Sequence, residues 1–180
     1  RACAARGVRA VVVVAAGFAE AGTEGKRLQD ELVATVRDAG MRLIGPNSLG
    51  LITTQPDLRL HASFSPIQPT PGHVALACQS GSVAVGMLSL AAQRGLGINH
   101  FISLGNKADV SGNDVLQYWQ TDPATDVVLL YLESFGNARK FARLARRLGR
   151  TKPIVAVKSG RWTETPAVTS LPVPVTAAPV

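Results

Sequence analysis

The turn at residues 79–82, QSGS, combines residue types and spacing that suit anion binding. It follows the apolar run VALAC and precedes a second apolar segment, so we predict that it joins a strand to the start of a helix. Backbone N–H groups at a helix start lack intrahelical acceptors, and the helix dipole adds partial positive charge there. Ser80, Gly81 and Ser82 are therefore a candidate phosphate site. The same pattern is also typical of a helix cap that binds nothing.

Three more polar loops follow predicted strands: Leu104–Val110 (LGNKADV), Glu133–Gly136 (ESFG) and Lys158–Arg161 (KSGR). The carboxyl ends of parallel strands lie along one edge of a sheet, so we expect these loops to converge with the QSGS turn. Glu133 follows the apolar run VVLLYL, and it is either a site carboxylate or a rim residue that caps a helix. We expect Lys107 and Asp109 to shape their own loop by hydrogen bonding rather than to take part in catalysis.

Strands and helices alternate from Gly72 onward, and these elements must position the four loops. The predicted strands are Val74–Ala77, Asn99–Ser103, Asp126–Tyr131 and Ile154–Val157. The predicted helices are Ser82–Arg94, Asn113–Thr121 and Asn137–Leu148. Such alternation favours a parallel sheet that is covered on both faces and connected by right-handed crossovers. We therefore predict an α/β domain of the flavodoxin-like type.

The first part of the chain has a shorter pattern of the same kind. The predicted elements are a strand at Val8–Val14, a helix at Glu24–Ala39 that is capped by Thr23 and ended by Gly40, and a strand at Met41–Ile44. Prolines recur from Leu49 to Thr70, so we predict irregular chain there and a boundary between two domains.

Length and composition indicate a folded protein outside the membrane. The 180 residues are 46% hydrophobic and 17% charged, which is enough apolar surface for a core. The sequence holds neither an apolar run of about 18 residues nor a charged leader with a cleavage site, so we predict no membrane span, no export signal and a cytoplasmic location. Because the chain begins with Arg1 rather than Met, we expect a fragment of a longer polypeptide.

The two cysteines, Cys3 and Cys78, show neither metal-ligand spacing nor a disulfide pattern. They are typical of a reducing compartment. Cys78 ends an apolar strand, and we predict that it behaves as a small hydrophobic side chain. The alternative is a reactive thiolate, since a helix start lowers the pKa of a nearby thiol.

The net charge of +7 raises the question of nucleic acid, and much of that charge lies in the segment Asn137–Gly149, NARKFARLARRLG. Phe141, Leu144 and Leu148 recur there at helical spacing and leave the arginines on the other faces. Aromatic residues make up only 5% of the chain, and no nucleic-acid-binding module is recognisable. We therefore interpret the basic helix as a solvated outer face and predict no nucleic-acid partner.

Several loop motifs together resemble a known family. The phrases are GPNSLGLI, PGHVALACQSGSVA, SLGNKADVSGNDVLQYW, LLYLESFGNARKF and KPIVAVKSGR. They are similar, in order and spacing, to the α-type part of NDP-forming acyl-CoA synthetases, which are relatives of succinyl-CoA synthetase. The sequences of these motifs most resemble ADP-forming acetyl-CoA synthetases and bifunctional proteins that carry a GNAT acetyltransferase domain on the same scaffold. The likeness extends from the first residues to Arg161.

The resemblance implies a division of the chain into parts. These are the C-terminal part of a Rossmann-like CoA-binding domain at 1–48, a connector at 49–71, a succinyl-CoA-ligase-like flavodoxin domain at 72–161 and an extended tail at 162–180. Val14, Ala15 and Ala16 match the loop that contacts CoA in the family. Asn106 and Lys107 are further candidate cofactor-binding residues. The family's glycine-rich CoA loop would lie upstream of Arg1.

The resemblance also implies a mechanism and partners. In the family, acyl-CoA and phosphate give an acyl phosphate, a histidine takes the phosphoryl group, and an ATP-grasp domain or subunit passes it to ADP. Ser80, Gly81 and Ser82 match the helix start that holds the phosphoryl group, and Glu133 matches the carboxylate that pairs with the phosphorylated histidine. The implied cofactors are CoA and, through the partner domain, ADP or ATP. An oligomeric assembly is expected, with no metal site.

One departure from the family pattern bears on activity. The family's reactive histidine follows KSGR in a phrase such as SHTGA, whereas this chain continues WTETPAVTSLPVPVTAAPV, with no histidine after Arg161. His61, His73 and His100 do not stand at the matching position, and we expect them to be structural or exposed. We therefore predict that this chain alone is inactive. The alternative function is a non-catalytic CoA-sensing or scaffold module of a GNAT acetyltransferase, and a flavoprotein is a third possibility by fold analogy.

Overall fold

The computed structural model describes residues 2–159, so the predicted tail at 162–180 lies outside the described residues. The helices are α1 (Ala2–Ala5), α2 (Thr23–Asp38), α3 (Gly81–Gln93), α4 (Gly112–Thr121) and α5 (Ala138–Leu148). The strands are β1 (Ala10–Val12), β2 (Arg42–Ile44), β3 (Gly50–Thr53), β4 (Leu60–Ser63), β5 (Val74–Cys78), β6 (Ile98–Ser103), β7 (Val127–Leu132) and β8 (Ile154–Lys158). Between residues 2 and 159, no helix has the length and apolar character that a membrane span requires.

Strands β5 to β8 form the parallel part of a six-stranded sheet whose order is β4-β3-β6-β5-β7-β8. Numbered along the chain from β5, these four strands are arranged 2-1-3-4, which is the order of flavodoxin-like sheets. The predicted fold is thereby confirmed. Ligands of such sheets bind where the strand order reverses, which here lies between the carboxyl ends of β5 and β7.

Strand β5 lies inside the sheet, and all five of its residues are buried. Helix α3 covers one face, where Leu76 and Cys78 join a core cluster with Leu88. Helices α4 and α5 cover the other face, where Ala75 and Ala77 belong to a second cluster. Because both faces are covered, the strand has a continuous apolar sequence instead of an alternating one, and this made it predictable.

Strands β3 and β4 form an antiparallel hairpin where irregular chain was predicted. β3 pairs antiparallel with both β4 and β6, so the sheet is mixed rather than wholly parallel. The prediction of irregular chain from Leu49 to Thr70 was therefore wrong for these two strands. Each has only four residues, and Ile52 of β3 lies opposite Phe101 of β6 in the core. That contact joins distant parts of the sequence, so local patterning carries little signal for it.

The chain before β3 forms a small unit in which α2 packs on the parallel pair β1–β2. Its buried core consists of Val36, Met41 and Leu43. The prediction that Thr23 caps α2 was wrong, because Thr23 is the first helical residue and Gly22 is the N-cap, with no side-chain cap bond. Gly22 has φ 105°, a backbone conformation that suits glycine and places no capping side chain before the helix.

The loop after β6 binds this N-terminal unit through a buried carboxylate. Asp109, whose side chain is 7% exposed, accepts hydrogen bonds from Arg42 Nε at 2.7 Å and from the Leu43 N–H at 3.0 Å. It also accepts one from Arg37 Nη2 at 3.1 Å. The prediction that Asp109 shapes its own loop was therefore wrong. Its partners lie 66 to 72 positions away in sequence, beyond the reach of any local pattern.

Helix α5 is amphipathic, as its sequence predicts. Leu144 and Leu148 are buried in the cluster that also holds residues of α4. The exposed residues of this segment include Arg139, Arg143, Arg146, Arg147 and Arg150. The arginines thus lie on the outer face of the helix, in agreement with the interpretation of a solvated surface.

Candidate functional site

Ser80 is the N-cap residue of α3, as predicted. Its backbone is extended, with φ −97° and ψ 125°, and its hydroxyl oxygen accepts a hydrogen bond from the Val83 N–H at 3.5 Å. The hydroxyl oxygens of Ser80 and Ser82 lie 3.3 Å apart. The N–H groups of Gly81 and Ser82 belong to the first turn, where a helix supplies no acceptor and carries its positive pole. The turn therefore presents both hydroxyl and N–H donors to an anion.

Glu133 lies beside this turn because β5 and β7 are paired neighbours. Gln79, the first residue after β5, joins the two loops. Its side-chain oxygen accepts hydrogen bonds from the Glu133 N–H at 2.9 Å and from the Ser134 N–H at 3.4 Å. Its side-chain nitrogen lies 3.5 Å from Glu133 Oε2. The predicted carboxylate and the predicted phosphate turn are thus brought together, through a residue for which the sequence had suggested no separate role.

These residues line an open cleft of about 500 Å³ at the carboxyl edge of the parallel strands. The lining residues are Glu20, Asn47, Ser48, Leu49, Gln79, Ser80, Gly81, Gly105, Asn106 and Glu133. They come from both parts of the chain, and most are polar. Such a cleft has room for a phosphoryl group and for part of a larger ligand.

Asn106, a predicted cofactor-binding residue, lines this cleft. Its side-chain amide donates hydrogen bonds to Gln29 Oε1 at 3.0 Å and to the carboxylate of Glu20. The bond from Asn106, with weaker contributions from the backbone N–H groups of Gly17 and Phe18, lowers the pKa of Glu20 to about 2. Sequence reasoning missed Glu20, because the contact that places it in the wall joins residues 86 positions apart.

Lys107, the other loop residue predicted to bind a cofactor, is directed elsewhere. Its ammonium donates hydrogen bonds to the Ser134 carbonyl oxygen at 2.6 Å and to the Ser134 hydroxyl at 2.7 Å. Burial lowers the pKa of this ammonium, and attraction to Glu133 opposes the shift. Among residues 2–159, Lys107 is not one of those that line the cleft. The structure therefore connects Lys107 to the turn that carries Glu133, and its contact with a cofactor stays a prediction.

The loop Val14–Ala16, which is predicted to contact CoA, is exposed just beyond the carboxyl end of β1. The carbonyl oxygen of Ala15 accepts a hydrogen bond from the N–H of Asn47 at 2.9 Å, and Asn47 lines the cleft. The loop is thus attached to one wall of the cleft, and its small alanine side chains leave the backbone accessible. Its contact with CoA stays a prediction.

The three histidines lie away from the lining of the cleft in the described part of the chain. His61 and His73 are exposed. His100 is partly buried, and its Nε2 lies 3.1 Å from Asp122 Oδ2. Burial lowers the pKa of His100, whereas Asp122 acts to raise it. The expectation that these histidines are structural or exposed is confirmed.

Cys78 lies directly before the turn, and its side chain points into the core. Its thiol donates a hydrogen bond to the carbonyl oxygen of Ser80 at 3.0 Å. Burial raises the pKa of the Cys78 thiol to about 11. The interpretation as a small buried side chain is thus supported over that of a reactive thiolate.

The family model described as the succinyl-CoA ligase like flavodoxin domain matches residues 71–171. The chain belongs to this family. The match covers every strand from β5 to β8, together with the turn at residues 79–82 and the loop that carries Glu133. The resemblance seen in the sequence motifs is therefore confirmed at the level of the family.

Several curated proteins are similar to most of this chain. Acetate–CoA ligase [ADP-forming] I of Archaeoglobus fulgidus is 40% identical over 159 residues, which make up 88% of this chain and 23% of that protein. The alpha subunit of acetate–CoA ligase [ADP-forming] I of Pyrococcus furiosus is 36% identical over 159 residues, or 88% of this chain and 34% of that subunit. The chain thus spans about a quarter to a third of these relatives.

Solved structures show the same fold. The crystal structure of a protein from Pyrococcus horikoshii OT3 superposes with a TM-score of 0.83 at 39% identity, covering 89% of this chain and 36% of the other. A dinucleotide forming acetyl-coenzyme A synthetase 1 of Ca. Korarchaeum cryptofilum, in complex with phosphate and ADP, superposes with a TM-score of 0.82 at 36% identity. That alignment covers 87% of this chain and 33% of the synthetase.

Proposed function

We propose that this chain is the phosphoryl-binding part of the α-type portion of an ADP-forming acyl-CoA synthetase. The observation that carries the proposal is the cleft at the carboxyl edge of the parallel strands, where the start of α3 lies beside Glu133. The relatives support it, since they are ADP-forming acetate–CoA ligases and one solved relative holds phosphate and ADP. Because this chain spans only part of these relatives, the complete activity is proposed for a longer protein.

The residues of this chain would bind and orient a phosphoryl group. The N–H groups of Gly81 and Ser82 and the positive pole of α3 suit an anion with two negative charges. The carboxylate of Glu133 would orient an imidazole ring and favour its charged form. The residues after Arg161 include no histidine, so we propose that this chain alone does not take up the phosphoryl group.

We propose that this chain supplies part of a CoA-binding site. When bound, it would supply the thiol that carries the acyl group. The exposed loop Val14–Ala16 would contact it, because the loop backbone is accessible and is attached to the cleft wall through Asn47. Asn106 lines the same cleft and would contact CoA there. We further propose that an ATP-grasp domain or subunit brings the nucleotide to this edge of the sheet in an oligomeric, cytoplasmic enzyme.

The substitution Gly81→Pro tests the phosphate site. It removes one N–H donor at the first helical position, which proline favours, and the extended backbone of Ser80 suits a residue that precedes proline. Loss of one charge-assisted hydrogen bond should weaken the binding of inorganic phosphate by roughly tenfold or more. Binding is measured by NMR titration of backbone amide signals. Gly86→Ala, an exposed change later in α3, is the matched control and should leave the affinity unchanged.

Equal phosphate affinity in Gly81→Pro and Gly86→Ala would contradict the proposed site. Activity is tested separately by incubating the chain with labelled acetyl phosphate and assaying acid-labile phosphate. We expect no stable label. Stoichiometric incorporation would show that the chain carries its own phosphoryl acceptor.

A non-catalytic module of a GNAT acetyltransferase is a second candidate function. The observation that favours it is the sequence WTETPAVTSLPV after Arg161, where the family has its reactive histidine. The sequence of the whole parent protein separates the two candidates. An intact histidine phrase with an ATP-grasp region supports the synthetase, whereas a GNAT domain without either supports the module.

A further inference from the structure

The turn formed by Glu133 and Ser134 makes hydrogen bonds with side chains from two neighbouring loops. From the side of β5, the side-chain oxygen of Gln79 accepts the N–H groups of Glu133 and Ser134, at 2.9 and 3.4 Å. From the side of β6, the ammonium of Lys107 donates to the Ser134 carbonyl and hydroxyl oxygens, at 2.6 and 2.7 Å. The backbone of this exposed turn therefore takes its hydrogen bonds from the side chains of other loops.

Gln79 and Lys107 are themselves fixed by backbone hydrogen bonds. Gln79 directly follows β5, the fully buried strand, and its N–H donates a hydrogen bond to the carbonyl oxygen of Tyr131 at 2.9 Å. Lys107 has a left-handed backbone with φ 54°, and its N–H donates to the carbonyl oxygen of Leu104 at 3.1 Å. Their side chains can thus fix the position of the exposed turn relative to the sheet.

The residue types suit this task. The amide of Gln79 has an oxygen that accepts from the turn and a nitrogen that faces the Glu133 carboxylate at 3.5 Å. A leucine would lose both contacts, whereas a glutamate would keep the acceptor and turn its second oxygen, with like charge, toward the Glu133 carboxylate. Lys107 places a positive charge near Glu133 while its donors bind neutral oxygens of Ser134.

We propose that Gln79 and Lys107 are positioning residues that hold the Glu133 carboxylate beside the phosphate turn. This inference rests on the proposed function for the role of Glu133, and it adds the side chains that fix the position of Glu133. Lys107, which the sequence suggested as a cofactor ligand, acts through the backbone of Ser134. The loops after three adjacent strands, β6, β5 and β7, then form one unit.

Amide hydrogen exchange of the full chain, followed by NMR, tests the positioning. In Gln79→Leu, we expect exchange at the Glu133 and Ser134 amides to become about tenfold faster, as for loss of a hydrogen bond of about 1.4 kcal/mol. The buried amide of Leu76 should keep its protection, which shows that the fold is intact. Gln93→Leu, an exposed substitution in α3, is the matched control and should change neither amide.

Two further variants separate positioning from general stability. Gln79→Glu keeps the acceptor but sets a second carboxylate against Glu133, so it should restore slow exchange at the Glu133 amide only in mild acid, where one of the two carboxylates is protonated. Lys107→Met removes the donors to the Ser134 carbonyl and hydroxyl oxygens, so the turn should open more often and the Ser134 amide, which Gln79 accepts, should exchange faster. Its control Lys26→Met, which removes an exposed ion pair on α2, should not have this effect. Unchanged exchange at Glu133 and Ser134 in both Gln79→Leu and Lys107→Met would overturn the proposal.

A titration with inorganic phosphate distinguishes this inference from the function on which it rests. In the unmodified chain, phosphate should shift the amide signals of Gly81, Ser82 and Glu133 together. In Gln79→Leu, the signals of Gly81 and Ser82 should still shift, whereas that of Glu133 should no longer follow. Persistent coupling of Glu133 in this variant would overturn the positioning role. If the amide signals of Gly81 and Ser82 do not shift with phosphate, the proposed phosphate function fails. The exchange rates at Glu133 and Ser134 still decide whether Gln79 and Lys107 hold the turn.

Discussion

Asp109→Ala is expected to destabilise the junction between the N-terminal unit and the loop after β6. The Asp109 carboxylate is 7% exposed and is hydrogen bonded to the Leu43 N–H and to the guanidinium groups of Arg37 and Arg42. Alanine removes all of these contacts at once. No other described carboxylate joins Arg37 or Arg42 to the main sheet except Asp114, which lies 3.6 Å from Arg42.

The expected loss follows from the exposure of each partner. Leu43 is fully buried, so its N–H loses its acceptor at a cost of about 1–3 kcal/mol. The arginine side chains are 53–60% exposed and regain water, so each lost ion pair costs only about 0–1 kcal/mol. The free energy of unfolding should therefore fall by about 1–5 kcal/mol, out of a total of about 5–15 kcal/mol for a domain.

Urea denaturation at pH 7 measures this change. Asp30→Ala is the control, because the carboxylate of Asp30 is 61% exposed and pairs with Lys26 one helical turn away. Its loss should lower the free energy of unfolding by only about 0.3–0.5 kcal/mol. Equal losses in the two variants would refute the reasoning, since Asp109 would then contribute no more than a surface ion pair.

The contribution of Asp109 should also depend on pH. Burial tends to raise the pKa of Asp109, but hydrogen bonds from Arg42, the Leu43 N–H and Arg37 outweigh it and lower the pKa from its usual 3.8. The stabilisation is therefore complete above about pH 4 and is lost as the pH falls through the folded-state pKa. The difference between the unmodified chain and Asp109→Ala should shrink in urea titrations below about pH 4. A difference that grows in acid would contradict this sign.

Three other outcomes are expected. Gly105 has φ 54°, and a Cβ there would lie 2.1 Å from the carbonyl oxygen of Pro46. Gly105→Ala should therefore lower the free energy of unfolding, measured by urea denaturation, by about 2 kcal/mol or more. An unchanged free energy of unfolding would contradict the close approach. Gly86→Ala adds a methyl group in open space on α3 and should raise the free energy of unfolding by about 0.5–1 kcal/mol. Circular dichroism should then show a rise in Tm of about 1–4 °C, and a lower Tm would contradict this. Burial raises the pKa of the Cys78 thiol to about 11, whereas Cys3 is exposed. Ellman's reagent at pH 8 should therefore modify Cys3 in the native chain and Cys78 only in denaturant. Rapid modification of both thiols in the native chain would contradict this.

The parallel half of the fold could be predicted because its signals are local. The run Val74–Cys78 is apolar throughout, since both faces of its strand are covered, and Ser80 caps the helix that follows. Leu144 and Leu148 likewise recur at helical spacing. The hairpin of β3 and β4 could not be predicted, because four-residue strands carry little pattern and their stability comes from pairing with β6.

The candidate site was predictable in its outline. Ser80 and Glu133 both follow strands, so strand order alone brings them to one edge of the sheet. Glu20 was missed, because it enters the cleft wall through Asn106, a partner distant in sequence. The contact of the Lys107 ammonium with Ser134 was not predicted, because it joins residues 27 positions apart, and the cofactor contact of Lys107 stays a prediction.

The sequence by itself determined which residues form the turn at the start of α3, because a strand, a small-residue turn and a helix cap are each encoded within a few positions. It also determined the family to which the chain belongs. Only the tertiary structure decided what surrounds that turn. Gln79 and Lys107 bond the turn at Glu133 and Ser134, and Asp109 attaches the N-terminal unit, through hydrogen bonds between residues 27 to 72 positions apart. Such bonds depend on which strands become neighbours, and pairing of strands is a property of the whole sheet.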